Sequence, residues 1–216
     1  MTVAIDGPAG SGKSTIARRL AEKLNCLYLD SGAMYRTVTL QSIRTGIDST
    51  SIPELIRLVK TCNIDFAENG KIALLDGEDV SDAIRTPEIN KMVSDISKIP
   101  ELRQEIVKQQ RRIGADISIV AEGRDVTTVV FPNADHKYFL TASVEARARR
   151  RFAELKAKGI DSTLNGIQEE IRTRDTKDRS REHSPLRTAE DAIVVDTTDM
   201  TIDQVVNFVL GRIRGL

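Results

Sequence analysis

The stretch "GPAGSGKST", Gly7 to Thr15, directly follows an apolar start, "MTVAID", and it limits the fold more than any other feature of the chain. Gly7-x-x-x-x-Gly12-Lys13-Ser14 is a phosphate loop. Its glycines let successive backbone N–H groups turn inward around phosphate oxygens, and the helix that follows adds the partial positive charge of its N-terminus. Such a loop needs a strand before it and a helix after it. Thr2 to Ile5 reads as a short apolar strand, and between Ser14 and Leu24 the residues Ile16, Ala17, Leu20, Ala21 and Leu24 share one helical face. The expected donor ligand is a nucleoside triphosphate held by Gly7, Pro8, Ala9, Gly10, Ser11, Gly12, Lys13, Ser14 and Thr15. Lys13 would reach its β- and γ-phosphates, and the Ser14 hydroxyl would ligate Mg²⁺.

Further short β-rich runs are Cys26 to Asp30, Ile117 to Ala121, Lys137 to Ala142 and Ala192 to Thr197. Continuous apolar strands separated by helices suit an α/β fold whose parallel sheet is covered on both faces. The last helix recurs at three- and four-residue intervals through Ile202, Val205, Val206, Val209, Leu210 and Ile213. Between Asn63 and Val80 two β-like runs flank Asn69-Gly70, a hairpin signal because both residues accept positive φ. Helices are expected next at Glu88 to Ser97 and Glu101 to Ile113. A polar stretch from Arg147 to Arg187 reads as helices joined by mobile loops, outside the core. The expected organisation is a phosphate-loop core (1–39, 114–146 and 188–216), an inserted substrate-binding region with a small hairpin (40–113) and an arginine-rich lid (147–187).

The bulk numbers exclude several classes. Lys plus Arg and Asp plus Glu both number 32, so no globally basic nucleic-acid binder is indicated; 4% aromatics and no Trp argue against stacking platforms. The only cysteines, Cys26 and Cys62, lack metal or CxxC spacing and read as two reduced, buried thiols. No apolar run approaches the ~20 residues of a membrane span. A cytoplasmic monomer without nucleic-acid or membrane partners is expected.

Three segments carry more charge than a scaffold requires. In "DSGAMYR" (Asp30 to Arg36), at the end of the second strand, Ser31 and Arg36 supply a hydroxyl and a guanidinium for a second phosphate; the alternative is a helix N-cap with a surface arginine. In "EGRD" (Glu122 to Asp125), placed directly after a strand, Glu122 can hold Mg²⁺ and Arg124 can grip a phosphate bidentately; the alternative is a polar turn. Arg147, Arg150 and Arg151 can project from one helix toward one site, with "RDTKDRSR" (Arg174 to Arg181) downstream. Alone, such a run is a solvated, salt-bridged face; beside a phosphate loop, a lid of guanidinium groups would stabilise the moving charge and exclude water.

Together "IDGPAGSGKST", "YLDSGAMYR", "GEDVSDAIRTPEI", "VAEGRD", "TVVFPNADHKYFLTAS" and "RDTKDRSR" resemble the bacterial-type cytidylate kinases, in order and over nearly the whole chain. The resemblance implies a nucleoside monophosphate kinase moving the γ-phosphate of ATP onto CMP or dCMP. It implies that Ser31, Arg36 and Arg124, with Asp125 adjacent, hold the monophosphate. Ser94, Arg103 and Arg181 would read the cytosine edge, and Arg174 and Asp178 the sugar hydroxyls. Arg147, Arg150 and Arg151 correspond to lid arginines over ATP and the transferred group, so that Lys13, Arg124, Arg147 and Arg151 are the expected catalytic set. Glu122 stands where the family commonly has Asp, which lengthens the reach of the Mg²⁺ carboxylate by one methylene. His136 and His183 are expected to take no catalytic part. Two other readings stand beside this one: a kinase for a different small acceptor, and an ATP-dependent regulatory or nucleic-acid switch.

Overall fold

The computed structural model describes residues 1–157 and 159–215. Its elements run β1 (Thr2–Asp6), α1 (Lys13–Leu24), β2 (Leu27–Asp30), α2 (Ser31–Arg44), α3 (Ile52–Thr61), β3 (Ile64–Ala67), β4 (Ile72–Leu75), β5 (Glu78–Asp79), α4 (Pro87–Ile96), α5 (Pro100–Ile113), β6 (Ile119–Gly123), β7 (His136–Thr141), α6 (Val144–Ala157), α7 (Leu164–Arg179), β8 (Ile193–Asp196) and α8 (Ile202–Arg214). A five-stranded sheet has the order β2-β6-β1-β7-β8, and its β1–β7 and β7–β8 pairs are parallel. Val3, Ala4 and Ile5 of β1 are fully buried, as an interior parallel strand with both faces covered requires. The chain divides into two compact units, one made of Met1 with Ala21–Ala121, the other of Thr2–Leu20 with the chain from Glu122 onward.

In the first unit, α2 begins where the Asp30 carboxylate accepts the backbone N–H of Ala33 at 2.9 Å. That bond satisfies one orphan donor of the first turn. Both α4 and α5 start on a proline, Pro87 and Pro100, whose missing N–H costs nothing there. α2 runs unbroken through residue 40, where the sequence suggested that an insert begins. α3, which periodicity left unassigned, buries Leu55, Leu58 and Val59, and Gln109 of α5 donates to the Val59 carbonyl at 2.7 Å. Each such side chain contributes about 1.5–3 kcal/mol when taken from water.

The hairpin forms as expected, with Ile64 opposite Leu75 and Ala67 opposite Ile72, and β5 extends it to three strands. Asn69 (φ 55°) and Gly70 (φ 92°) both adopt the left-handed conformation at its tip. Gly70 has a second constraint: a Cβ there would lie 1.9 Å from the Tyr28 carbonyl oxygen, so the tip rests directly on the backbone of β2. Cys26 and Cys62 are free, buried thiols.

The second unit contains the phosphate loop, β7, β8 and the last three helices. α8 opens with a reciprocal capping box between Thr201 and Gln204 and ends on Gly215 in the left-handed region. α6 and α7 correct one expectation. The stretch from Arg147 to Arg187 has a small apolar core of its own, Ala148, Ile167 and Ile171, with Val144, Phe152 and Leu155 packed against it. Its charged composition hid these few apolar residues, which meet only when the two helices pair. β6 supplies a further correction. It covers Ile119–Gly123, two residues beyond the expected run, and Ile117 is exposed. Glu122 and Gly123 therefore lie within the strand and not in a turn after it; an apolar run alone does not fix where a fully buried strand ends.

After β6 the chain makes a π-helical turn at Val126–Val130. The buried carboxylate of Asp6, the last residue of β1, accepts from Val126 N (2.9 Å), Thr127 N (2.7 Å) and Thr127 Oγ1 (2.6 Å). Three donors on one carboxylate fix the path of this segment against the strand that leads into the phosphate loop. Among the described residues, no helix is long and apolar enough to cross a membrane.

Two stability changes follow. Gly70→Ala should destabilise the fold by about 2–4 kcal/mol in urea unfolding, since the new methyl group meets backbone and the φ is strained. Asp6→Ala should cost about 2–4 kcal/mol by leaving two buried N–H groups unpaired, with Thr127→Val costing less than half as much.

Candidate active site

The phosphate loop packs closely on the end of β7. A Cβ on Gly7 would lie 2.0 Å from the Leu140 carbonyl oxygen, so only glycine permits this approach. Lys13 is buried and its ammonium donates back to the loop carbonyl of Pro8 at 2.8 Å. The lysine therefore spans the loop it belongs to and closes the cradle from inside. Burial, reinforced by the charge of Arg124, pulls its pKa down to about 7. Ser14 donates to Glu122 Oε1 at 2.6 Å, bringing the two expected Mg²⁺ ligands side by side. An alcohol and a carboxylate oxygen are the hard donors that Mg²⁺ takes. Among the described residues no group of three or more His, Cys, Asp or Glu side chains is gathered for a metal. The pair thus fits an ion that enters with a nucleotide and keeps much of its water.

Arg124 follows β6 and donates from Nε to Asp178 Oδ2 at 2.8 Å, while Arg181 donates to Asp178 Oδ1 at 2.6 Å. Burial alone would raise the Asp178 carboxyl; Arg124 and Arg181 outweigh it and hold the group below the usual carboxylate range. Arg174 also lies near enough to act electrostatically on both Asp178 and Lys13. One buried carboxylate thus sets the position of two expected acceptor-binding arginines. Each Asp178 oxygen accepts one of these bonds and keeps a further lone pair, so the ion pairs leave room for the sugar hydroxyl expected there. Asp125 is buried, and its carbonyl starts the π turn by accepting from Val130 N at 3.2 Å, with Val129 N at 2.8 Å.

The lid arginines part company. Arg147 is buried and donates to the carbonyls of Ala142 (3.0 Å) and Ala9 (2.9 Å) and to Asp175 Oδ2 (2.6 Å). It joins the end of β7, the phosphate loop and α7. Arg150 donates to Thr197, once to the hydroxyl at 3.1 Å and once to the carbonyl. Arg151 pairs with Glu154 on the exposed face of α6 at 3.1 Å. Arg147, Arg150 and Arg151 each have a separate partner in this structure.

In the other unit, Ser31 is the first, buried residue of α2, and its neighbour Asp30, not Ser31, is the N-cap. Arg36 donates from Nε to Asn90 Oδ1 at 3.4 Å. Arg103 is buried, donates to the Ser97 carbonyl at 2.9 Å and stacks over the Tyr35 ring at 5.0 Å. Ser94 is half-buried, with its carbonyl accepting from Ser97 Oγ at 3.2 Å.

Sequence reasoning passed over Asp6, whose carboxyl burial pushes up to about 6 in spite of its three donors. Its signal was a lone acid ending an apolar strand beside the first glycine. It also passed over Thr197, whose hydroxyl donates to the Thr141 carbonyl at 3.0 Å and receives Arg150. A threonine at a strand end carries no mark of that task.

Known proteins bear on this arrangement. The cytidylate kinase family model matches residues 3–215. A cytidylate kinase of Caldanaerobacter subterraneus subsp. tengcongensis is 47% identical over 98% of this chain and 94% of its own. One of Clostridioides difficile is 46% identical over 99% and 98%. An uncharacterised protein from Eubacterium ventriosum, solved by crystallography, shares the fold at 12% identity, with a TM-score of 0.52 over 100% of this chain and 99% of that one. With a phosphate loop closed by Lys13 and a buried guanidinium cluster beside it, the chain belongs to the cytidylate kinase family.

Proposed function

We propose that the protein transfers the γ-phosphate of ATP to CMP, and to dCMP, giving ADP and CDP or dCDP in pyrimidine nucleotide metabolism. The observation that carries the reading is the arginine pair on Asp178, one member of which lies near enough to Lys13 to lower its pKa. A second buried cationic group so close by suits more negative charge than one triphosphate brings. A second phosphate supplies it.

ATP lies with its β- and γ-phosphates on the loop N–H groups and Lys13. An oxygen of the acceptor α-phosphate attacks the γ-phosphorus in line as the bond to the β-bridging oxygen breaks. No general base is needed, because the attacking oxygen is already ionised, and no covalent enzyme intermediate forms. Ser14 and Glu122 would hold Mg²⁺, which when bound would supply divalent charge to offset that of the transferred phosphoryl group. Arg124 holds the acceptor phosphate. Arg147 keeps the phosphate loop in shape through Ala9. In the first unit Ser31 and Arg36 serve the acceptor phosphate and Ser94 and Arg103 the base; in the second Arg181 serves the base, and Arg174 and Asp178 the sugar. Protein side chains in place of water protect ATP from plain hydrolysis. The protein acts as a cytoplasmic monomer on small molecules, without nucleic acid.

A coupled ADP-release assay with ATP and Mg²⁺ across CMP, dCMP, UMP and AMP tests the acceptor. CMP and dCMP should give the highest kcat/KM, and preference for UMP or AMP would defeat the cytosine assignment. Arg124→Ala should lower kcat/KM for CMP by about 10²-fold or more while leaving ATP affinity nearly unchanged; equal weakening of both substrates counts against its role.

Lys13 adds a pH signature. With a pKa of about 7 it is mostly neutral in the free protein at pH 8, and the phosphates of ATP restore its charge. Binding of ATP at pH 8 should therefore take up close to one proton more in the parent protein than in Lys13→Arg, whose guanidinium stays charged. Calorimetry in buffers of different ionisation enthalpy reads this difference. It should shrink toward zero by pH 6, where the free lysine is already protonated.

A further inference from the structure

The geometry points to Arg85 as a further acceptor-phosphate residue, a reading that rests on the CMP acceptor proposed above. Residues Ala83–Arg85 form a 3₁₀ turn between the hairpin and α4, and the fully buried Ile84 pins that turn in place. Arg85 is thereby held in the open, about half exposed, with its guanidinium Nη2 3.7 Å from Asp30 Oδ2. Asp30 is buried, and its other oxygen is engaged as the N-cap of α2.

Arg36 belongs to the same cluster. A Cβ on Gly32 would lie 2.9 Å from Arg36 Nη1 and 3.2 Å from Asp30 Oδ1, which places both groups against the first turn of α2. Asn90 ties the two arginines together. Its Oδ1 accepts from Arg36 Nε and its Nδ2 donates to the Arg85 carbonyl, both at 3.4 Å.

Fold stability explains little of this. A half-exposed guanidinium 3.7 Å from a carboxylate adds little to stability. The cluster sets two guanidinium groups and a single carboxylate at the positive end of a helix. That leaves a net positive charge where an anion is already favoured. A phosphate dianion of CMP completes it. Asp30 tethers Arg85 beside the first turn of α2; a doubly charged phosphate then outcompetes one carboxylate for the guanidinium. Arg85 acts on the phosphate alone and has no part in reading the base.

Steady-state kinetics of Arg85→Met and Arg85→Lys, with cytidine binding by calorimetry as a phosphate-free probe, tests the assignment. Arg85→Met should raise KM for CMP about tenfold or more, change kcat less than about threefold, and leave KM for ATP and the affinity for cytidine as in the parent. Arg85→Lys should recover part of the loss, because a point charge replaces the bidentate fork. An unchanged KM for CMP in Arg85→Met, or equal weakening of CMP and cytidine, overturns the role of Arg85 while the parent still phosphorylates CMP. A parent protein that transfers nothing to CMP overturns the acceptor reading itself, and this inference with it.

Discussion

Lys13, Arg124, Arg147 and Arg181 belong to one compact unit, and their mutual repulsion has to be offset. The fold answers with buried carboxylates. Asp178 takes Arg124 and Arg181, Asp175 takes Arg147, and Glu122 and Asp6 lie near enough to Lys13 to support its charge in part. The compensation is incomplete at Lys13, where burial and Arg124 win and the ammonium is weakened. Incomplete compensation is what a phosphate site needs. A cluster fully neutralised by its own acids would hold nothing; one with no acids would not stay folded.

The same constraint accounts for the division of labour among the arginines. Arg147 is bound by two backbone carbonyls and one carboxylate, which makes it a strut of the phosphate loop. Arg124 donates from Nε to Asp178 and from Nη1 to the Gly123 carbonyl at 3.3 Å, which leaves it nearer than Arg147 to having donors for a ligand. Arg151, out on the surface beside Glu154, is a solvated ion pair in this structure. Residues that look alike in the sequence are thus separated by how many of their donors the protein itself consumes. In the other unit the hairpin tip is placed by contact of Gly70 with β2, and the 3₁₀ turn that carries Arg85 follows five residues after β5 begins.

Much of this could be read from the residues. The strand, glycine loop and helix of the phosphate cradle are local, and their pattern is complete within 24 residues of the start. The hairpin was legible because Asn69-Gly70 is a local backbone preference, and α8 because its apolar period is long and clean. The boundary of β6 was not legible, since Ile117 and Ile119 look equivalent until one is exposed and the other buried. The apolar cluster under α6 and α7 escaped for the same reason: its members are spread through a charged stretch and meet only in three dimensions.

The sequence by itself determined the chemistry available, a triphosphate loop and a surplus of guanidinium groups at strand ends, because those depend on residue type and short spacing. Only the tertiary structure decided which guanidinium meets which carboxylate. Arg124 and Asp178 are 54 positions apart, Ser14 and Glu122 are 108 apart, and Asp6 and Thr127 are 121 apart. Pairings at such separations are set by the packing of strands and helices, and charge strength falls off over a few ångströms. A one-dimensional reading can therefore name the charges but not their partners.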